Sequence, residues 1–139
     1  MEQLRFKRIR QHAEGFKFIL VGSLAAATHF IALIFFVQFI EVKPAAANIL
    51  AFFVAFLVSF IGHYQLTFRQ TTHSFLQAFW RWFCSSLLGF VLNQALFLFG
   101  LNHFGQKAYI LIWLVITVFI TMITFLLGKF WAFGRKEKS

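Results

Sequence analysis

Four long apolar stretches, separated by short polar segments, dominate the pattern of hydrophobic and polar positions along the chain. They cover residues 16–40, 45–66, 79–101 and 108–131. Each has the roughly 20 residues that an α-helix needs to cross a hydrocarbon layer about 30 Å thick. Because lipid offers no partner to exposed backbone polar groups, such stretches cross as helices. The pattern therefore predicts an all-α polytopic membrane protein with four transmembrane helices, forming a single domain over residues 1–139.

The second half of the chain repeats the first at a spacing of about 64 residues, or 65 near the end of each copy. Each copy is predicted to be a helical hairpin that begins on the same side of the membrane, so the repeats are parallel. In transporters built from repeats, binding sites tend to lie where the repeats meet. The corresponding positions are Lys17 and Arg81, Phe18 and Trp82, Ala25 and Gly89, His29 and Asn93, and Ser59-Phe60 and Thr124-Phe125.

Proline and glycine positions predict where the helices begin and end. Pro44, the only proline, is expected to begin the second helix, where a missing backbone N–H costs little. Gly100 and Gly105, on either side of Asn102 and His103, predict a short turn before the fourth helix.

Charge is distributed unevenly along a chain that is 60% hydrophobic and carries a net charge of +9. Basic residues cluster before the first span, around the loop between the second and third spans, and at the carboxyl terminus. By the positive-inside rule, both termini and the central loop are predicted to be cytoplasmic. Topology and anionic headgroups account for the basic charge, so no nucleic-acid partner is expected. Leu4, Phe6 and Ile9 alternate with the first basic residues, as in an interfacial amphipathic segment.

Residue patterns typical of catalysis are missing from the sequence. The four acidic residues lie outside the apolar stretches or at their edges, and the five histidines are scattered. No carboxylate pair, nucleophile–base pair, metal-ligand spacing or glycine-rich phosphate loop is present. We therefore expect neither an enzyme activity nor a metal or cofactor.

Four basic residues at a similar depth form the first part of a candidate site. They come one from each helix near the cytoplasmic boundary, and in a compact bundle some of them are predicted to converge into a basic pocket for a phosphate headgroup. For Lys129, the alternative is that its long side chain extends to the headgroups. The four residues are Lys17, Arg69, Arg81 and Lys129.

Polar residues deeper in the membrane form the second part, because such groups usually face the protein interior. His29 and Asn93 lie near the midplane, where they either bond to each other between helices or contact a substrate. Asn48, near the outer end of the second span, either makes a helix-end hydrogen bond or binds a passing polar group of the substrate. A ridge of small and polar residues in the same span either packs against another helix or lines a path: Ala47, Ala51, Ala55, Ser59 and His63.

Short motifs in both hairpins resemble the GtrA-like family of four-span membrane proteins. The first hairpin begins with Phe16-Lys17-Phe18-Ile19-Leu20-Val21-Gly22, similar to the F-x-x-V-G opening of that family. Ala47-Asn48, Ser59-Phe60 and Thr67-Phe68-Arg69 are similar to its A-N and S-F-x-x-N-x-x-W-T-F-R elements. The second hairpin ends in a degenerate copy containing Thr124-Phe125, Lys129, Trp131 and Phe133. The chain departs from the family pattern at His63, Tyr64 and Leu66, where Asn, a basic residue and Trp are usual.

This resemblance implies a role in bacterial cell-envelope polysaccharide synthesis. Members of the family are thought to move polyprenyl-phosphate-linked sugars across the cytoplasmic membrane, or to assist a partner glycosyltransferase. A homo-oligomer is a further expectation, because four short helices leave one chain little room to enclose a sugar. Two alternatives remain: a non-transporting subunit that anchors a membrane glycosyltransferase, and a small multidrug-type exporter that uses Glu14.

Overall fold

The computed structural model describes residues 1–67 and 74–127, and within these ranges it is built from helices without strands. Four helices are long and apolar enough to cross a membrane, which confirms the predicted all-α, multi-pass architecture. The main helices are α1 (Glu2–Gln38), α2 (Pro44–Gly62), α3 (Phe75–Phe104) and α4 (Tyr109–Leu127), with a π-helical turn at His63–Thr67 and a 3₁₀ turn at Gln106–Ala108.

Helix α1 is far longer than a membrane span requires. Its 37 residues correspond to about 55 Å at about 1.5 Å per residue, against a hydrocarbon layer of about 30 Å. The additional length is at the amino terminus, where the helix begins at Glu2 and continues without interruption into the predicted span at residue 16. The segment upstream of the first span is therefore helical and continuous with it.

Both loops on the predicted outer side show how local sequence ends a helix. Helix α2 begins at Pro44, as predicted. In the turn before it, Glu41 adopts a φ of 60°, and the N–H of Val42 donates to the carbonyl of Phe36 at 3.0 Å. The predicted turn at Gly100 is wrong, because α3 continues to Phe104 and the chain turns only at Gly105, whose φ of 88° suits a residue without a side chain.

Gly100 has a packing role in place of the predicted turn role. It is buried within α3, and a Cβ atom added there would lie 2.6 Å from Cγ2 of Ile112 on α4. Lipid provides no hydrophobic force that drives helices together, so they associate through close packing, which small residues allow. Gly100 is therefore a point of close approach between α3 and α4.

The chain divides into two compact units, Met1–Phe90 and Val91–Ser139, and the division falls inside α3. In the first unit, α1 and α2 pack as an antiparallel pair along the predicted ridge of α2. Ala47, Ala51 and Ala55 are buried there, which confirms that this ridge is a packing face. The closest approach is at Gly62, where an added Cβ atom would lie 2.7 Å from Cγ1 of Val21.

An aromatic ladder joins α2 to the first half of α3. The α2 rings recur every four residues, so they lie on one side of the helix and meet the rings of α3 in antiparallel order. Aromatic pairs of this kind add stability beyond the area that they bury. The rungs are Phe52 with Phe90 (4.2 Å between ring centroids), Phe56 with Phe83 (5.3 Å), Phe60 with Phe79 (5.2 Å) and Tyr64 with Phe75 (5.2 Å).

We predict that the substitution Gly62→Ala destabilises the α1–α2 pair. The new methyl group would overlap Val21, and overpacking of this kind typically costs about 1–3 kcal/mol. In a Val21→Ala background the same substitution should cost little, because the overlapping Cγ atoms are gone. Detergent-based unfolding followed by circular dichroism measures both effects.

Gly22→Ala is the matched control for that experiment. Gly22 follows Val21 in α1, at the level of this contact, but no neighbouring atom lies within 4 Å of a Cβ atom added there. Its substitution should leave stability unchanged or raise it slightly through the better helix propensity of alanine. Equal stability of Gly62→Ala and Gly22→Ala would show that the close approach of α1 and α2 at Gly62 does not exist.

Candidate functional site

The side chain of His63 lies between two aromatic rings from neighbouring helices. The centroid of its ring is 4.7 Å from that of Phe18 on α1 and 4.7 Å from that of Trp82 on α3. As a result only 3% of His63 is exposed. The residue also begins the π-helical turn that follows α2, a type of distortion often found at functional sites.

A hydrogen bond fixes the side chain of Trp82 in this arrangement. Its indole Nε1–H donates to Oγ of Ser59 at 3.2 Å. Ser59 lies one turn before His63 on α2, so two residues of the predicted ridge contact the same indole. We call the group Phe18, Ser59, His63 and Trp82 the His63 cluster.

The two aromatic residues of the His63 cluster occupy corresponding positions in the sequence repeat. Phe18 and Trp82 are 64 residues apart and approach the histidine from different helices. Each follows a basic residue directly, since Lys17 precedes Phe18 and Arg81 precedes Trp82. Both basic residues are exposed. The fold thus brings one aromatic residue from the beginning of each repeat to His63, directly after α2. In each repeat a cation precedes that aromatic residue in the sequence.

Two of the four predicted basic residues, Arg69 and Lys129, lie outside the residues that the structure describes. Within the described part of the chain, the predicted basic pocket is represented by Lys17 and Arg81 alone. Phe18 and Trp82 were not predicted as site residues. Their signal in the sequence was their place in the repeat, directly after the two cations.

A second polar group joins α1 to α2 through side chains. Nε2 of His29 lies 2.7 Å from Oδ1 of Asn48, an amide oxygen that accepts the hydrogen bond. Asn48 is fully buried, and His29 also has the ring of Phe90 at a centroid distance of 6.4 Å. This bond joins two helices, and the helix-end hydrogen bond expected for Asn48 stays a prediction. Asn93, the repeat counterpart of His29, is half-buried on α3.

The two polar groups are spaced along one helix. From Asn48 to Ser59 is 11 residues, or about 16 Å along α2 at about 1.5 Å per residue. Between them lie Ala51 and Ala55, both buried and without polar atoms in their side chains. This separation is about half of a hydrocarbon layer of about 30 Å, so the helix carries polar groups at two distinct depths.

Comparison with protein families identifies the chain. Residues 17–133 match the family model described as GtrA/DPMS, transmembrane domain. The chain belongs to this family. This match confirms the resemblance drawn from the motifs and makes the chain a membrane protein of polyprenyl-phosphate-sugar-related processes.

Comparison of this GtrA/DPMS chain with curated proteins and with solved structures gave no match. The described residues contain no group of three or more His, Cys, Asp or Glu side chains that would hold a metal ion. The geometry of the candidate site therefore depends on hydrogen bonds, cations and aromatic faces.

We predict that His29 and Asn48 stabilise the α1–α2 pair cooperatively. Asn48→Leu and His29→Phe should each be destabilising by about 1–3 kcal/mol, because each leaves its partner without that hydrogen bond in an apolar environment. The double variant should cost less than the sum of the two, by about 0.5–2 kcal/mol. A double-mutant cycle of unfolding free energies in detergent measures this coupling.

Asn102→Leu serves as the control for the same cycle. Asn102 is an exposed residue near the end of α3, so its replacement should have little effect on stability and should not couple to His29. Strict additivity of His29→Phe and Asn48→Leu would contradict a stabilising bond between the two side chains.

Proposed function

We propose that this GtrA/DPMS protein translocates a polyprenyl-phosphate-linked sugar across the bacterial cytoplasmic membrane and catalyses no reaction of its own. The observation that carries the proposal is the His63 cluster, where each repeat brings to one polar residue an aromatic ring that directly follows a cation in the sequence. A lipid-linked sugar has a phosphate, a sugar ring and an apolar tail, and the first two match the groups assembled there.

The phosphate is assigned to the cations at the His63 cluster. Arg81 offers a planar fork of N–H donors that matches two phosphate oxygens, while Lys17 adds a compact positive charge. Both are exposed, so they can meet a headgroup at the membrane surface without prior rearrangement of the helices. We assign the same role to Arg69 and Lys129, and we place this end of the helices and both termini in the cytoplasm.

The sugar is assigned to the polar groups along α2. At the cytoplasmic end, Ser59 and His63 offer hydrogen bonds to hydroxyl groups, and the indole of Trp82 offers an apolar ring face. Farther along, His29 and Asn48 form the next polar group. Asn93, the counterpart of His29 in the sequence repeat, is also assigned to the sugar. Ala51 and Ala55 between them leave the backbone of α2 accessible to a bulky head once α1 moves aside.

The polyprenyl tail stays in lipid during this process. The outer surfaces of the helices are rich in exposed large apolar side chains, as in the case of Leu20, Leu24 and Ile31 on α1. A tail that remains in contact with this surface does not have to pass through the protein. The barrier to translocation is then the transfer of the phosphate and sugar, which the polar groups of α2 lower.

We predict that Arg81→Gln and Lys17→Gln each slow the transfer of a labelled polyprenyl-phosphate hexose in proteoliposomes by about tenfold or more. A hydrogen bond to a charged group contributes about 1.5–3 kcal/mol, and this is the contact removed. Arg81→Lys should retain part of the rate, because it keeps the charge but loses the fork. The rate is measured as the fraction of labelled lipid reaching the opposite leaflet with time.

Lys107→Gln is the charge-matched control, since Lys107 is exposed in the 3₁₀ turn between α3 and α4, away from the His63 cluster along the chain. It should transfer lipid at the wild-type rate. Wild-type rates in both Arg81→Gln and Lys17→Gln would contradict the assigned phosphate site. Transfer by the wild-type protein only after a glycosyltransferase is added would favour the accessory-subunit alternative.

We predict a separate effect for the indole of the His63 cluster. Trp82→Phe removes the hydrogen bond to Ser59 while keeping an aromatic ring beside His63, so transfer should fall by roughly fivefold, the equivalent of about 1 kcal/mol. Trp80→Phe is the matched control, because Trp80 is largely exposed one half-turn earlier on α3. Equal transfer rates for Trp82→Phe and Trp80→Phe would contradict a role of the Trp82 indole in transfer.

A further inference from the structure

The amino-terminal part of α1 is an exposed amphipathic helix. At about 100° per residue, four apolar residues of this segment fall within one sector of about 80°. Phe6, Ile9 and Phe16 are 75%, 60% and 66% exposed, and Ala13 between them is exposed as well. Leu4 lies outside the sector. We call Phe6, Ile9, Ala13 and Phe16 the amino-terminal apolar stripe.

The amino-terminal apolar stripe lies on the side of α1 opposite to its contacts with α2. The residues of α1 that contact α2 are Phe18, Val21 and His29, and they lie on the opposite side of the helix. The stripe instead continues, on its own side, into residues of the span that are exposed to lipid: Leu20, Leu24 and Ile31. The surface that faces lipid within the membrane therefore extends without interruption into the segment beyond it.

Basic residues border the stripe on both sides. Arg5 and Arg8 lie on one side of it and Arg10 lies on the other, while Lys7 and Gln11 lie on the opposite face of the helix. An apolar stripe flanked by basic residues is the pattern of helices that lie in a membrane interface, where the charges meet anionic headgroups.

Gly15 separates this segment from the membrane span. It lies within α1, and no neighbouring atom would meet a Cβ atom added there within 4 Å. Glycine weakens a helix interior and accepts a wider range of backbone angles than other residues. A change of helix direction therefore costs less at Gly15 than at its neighbours, and a bend toward the stripe would lay the stripe on lipid.

We propose that residues 2–14 bind the bilayer surface, with the amino-terminal apolar stripe in the interface and the flanking cations on anionic phospholipid headgroups. The bilayer is always within reach, because the same helix crosses it. Pairing of the stripes of two parallel copies is disfavoured by the rows of like charge that would be brought together. This proposal does not depend on what the protein transports.

The proposal predicts different depths for two neighbouring positions of the full-length protein. In a Cys84→Ser background, which removes the only cysteine, spin labels are attached to Ala13→Cys on the stripe and Gln11→Cys on the opposite face. In vesicles containing phosphatidylglycerol, the label at 13 should be accessible to oxygen and shielded from a water-soluble relaxation agent. The label at 11 should show the reverse, and neither replacement removes a large apolar residue.

The charge dependence is tested with Arg5→Gln and Arg8→Gln together, and with vesicles of phosphatidylcholine alone. Either change should move the label at 13 toward water while leaving the fold of the four spans intact by circular dichroism. Equal water accessibility of both labels in phosphatidylglycerol would overturn the proposal. Shielding of position 13 that depends on protein concentration and not on lipid charge would also overturn it, in favour of contact between copies.

Discussion

The close approach of α1 to α2 is the constraint on which the rest of the first unit depends. Lipid supplies no hydrophobic force between helices, so their association rests on packing and polar contacts. Gly62 and the buried alanines of α2 allow Val21 and its neighbours to lie against the backbone. That proximity places His29 within bonding distance of Asn48 and Phe18 against His63. A wider separation would leave both polar groups in lipid, so the small residues hold the candidate site together.

Helix α2 carries the polar groups because it has neighbours on two faces. Its alanine ridge packs on α1, and its phenylalanines form the aromatic ladder with α3. Of the most apolar stretch of each helix, 39% is buried in α2, against 17% in α1 and 17% in α3. Buried polar side chains in lipid need partners, and only a helix enclosed in this way provides them for Asn48 and His63. Tyr64, which departs from the usual family residue, takes its place in the ladder against Phe75.

Much of the fold is predictable from the sequence because it follows from one-dimensional signals. Apolar length gives the four spans, and Pro44 gives the start of α2. Which side chains form hydrogen bonds between helices is harder to predict, since it depends on the relative depth of the two helices in the membrane. The repeat placed His29 beside Asn93 as a possible partner, and its bond to Asn48 is visible only in the structure. Gly100 was misinterpreted for a related reason, because a glycine that permits close packing and one that permits a turn look alike in a sequence.

At His63, corresponding residues of the two sequence repeats contact one side chain. The duplicated hairpin supplies two aromatic residues at corresponding positions, and both contact the same histidine. Phe18 and Trp82 meet that single residue from different helices, so corresponding positions of the repeats are no longer equivalent in their surroundings. Trp82 has a hydrogen bond to Ser59, which phenylalanine at position 18 has no group to make. The ring of Trp82 is therefore fixed by a hydrogen bond as well as by its contact with His63, whereas Phe18 contributes a ring contact.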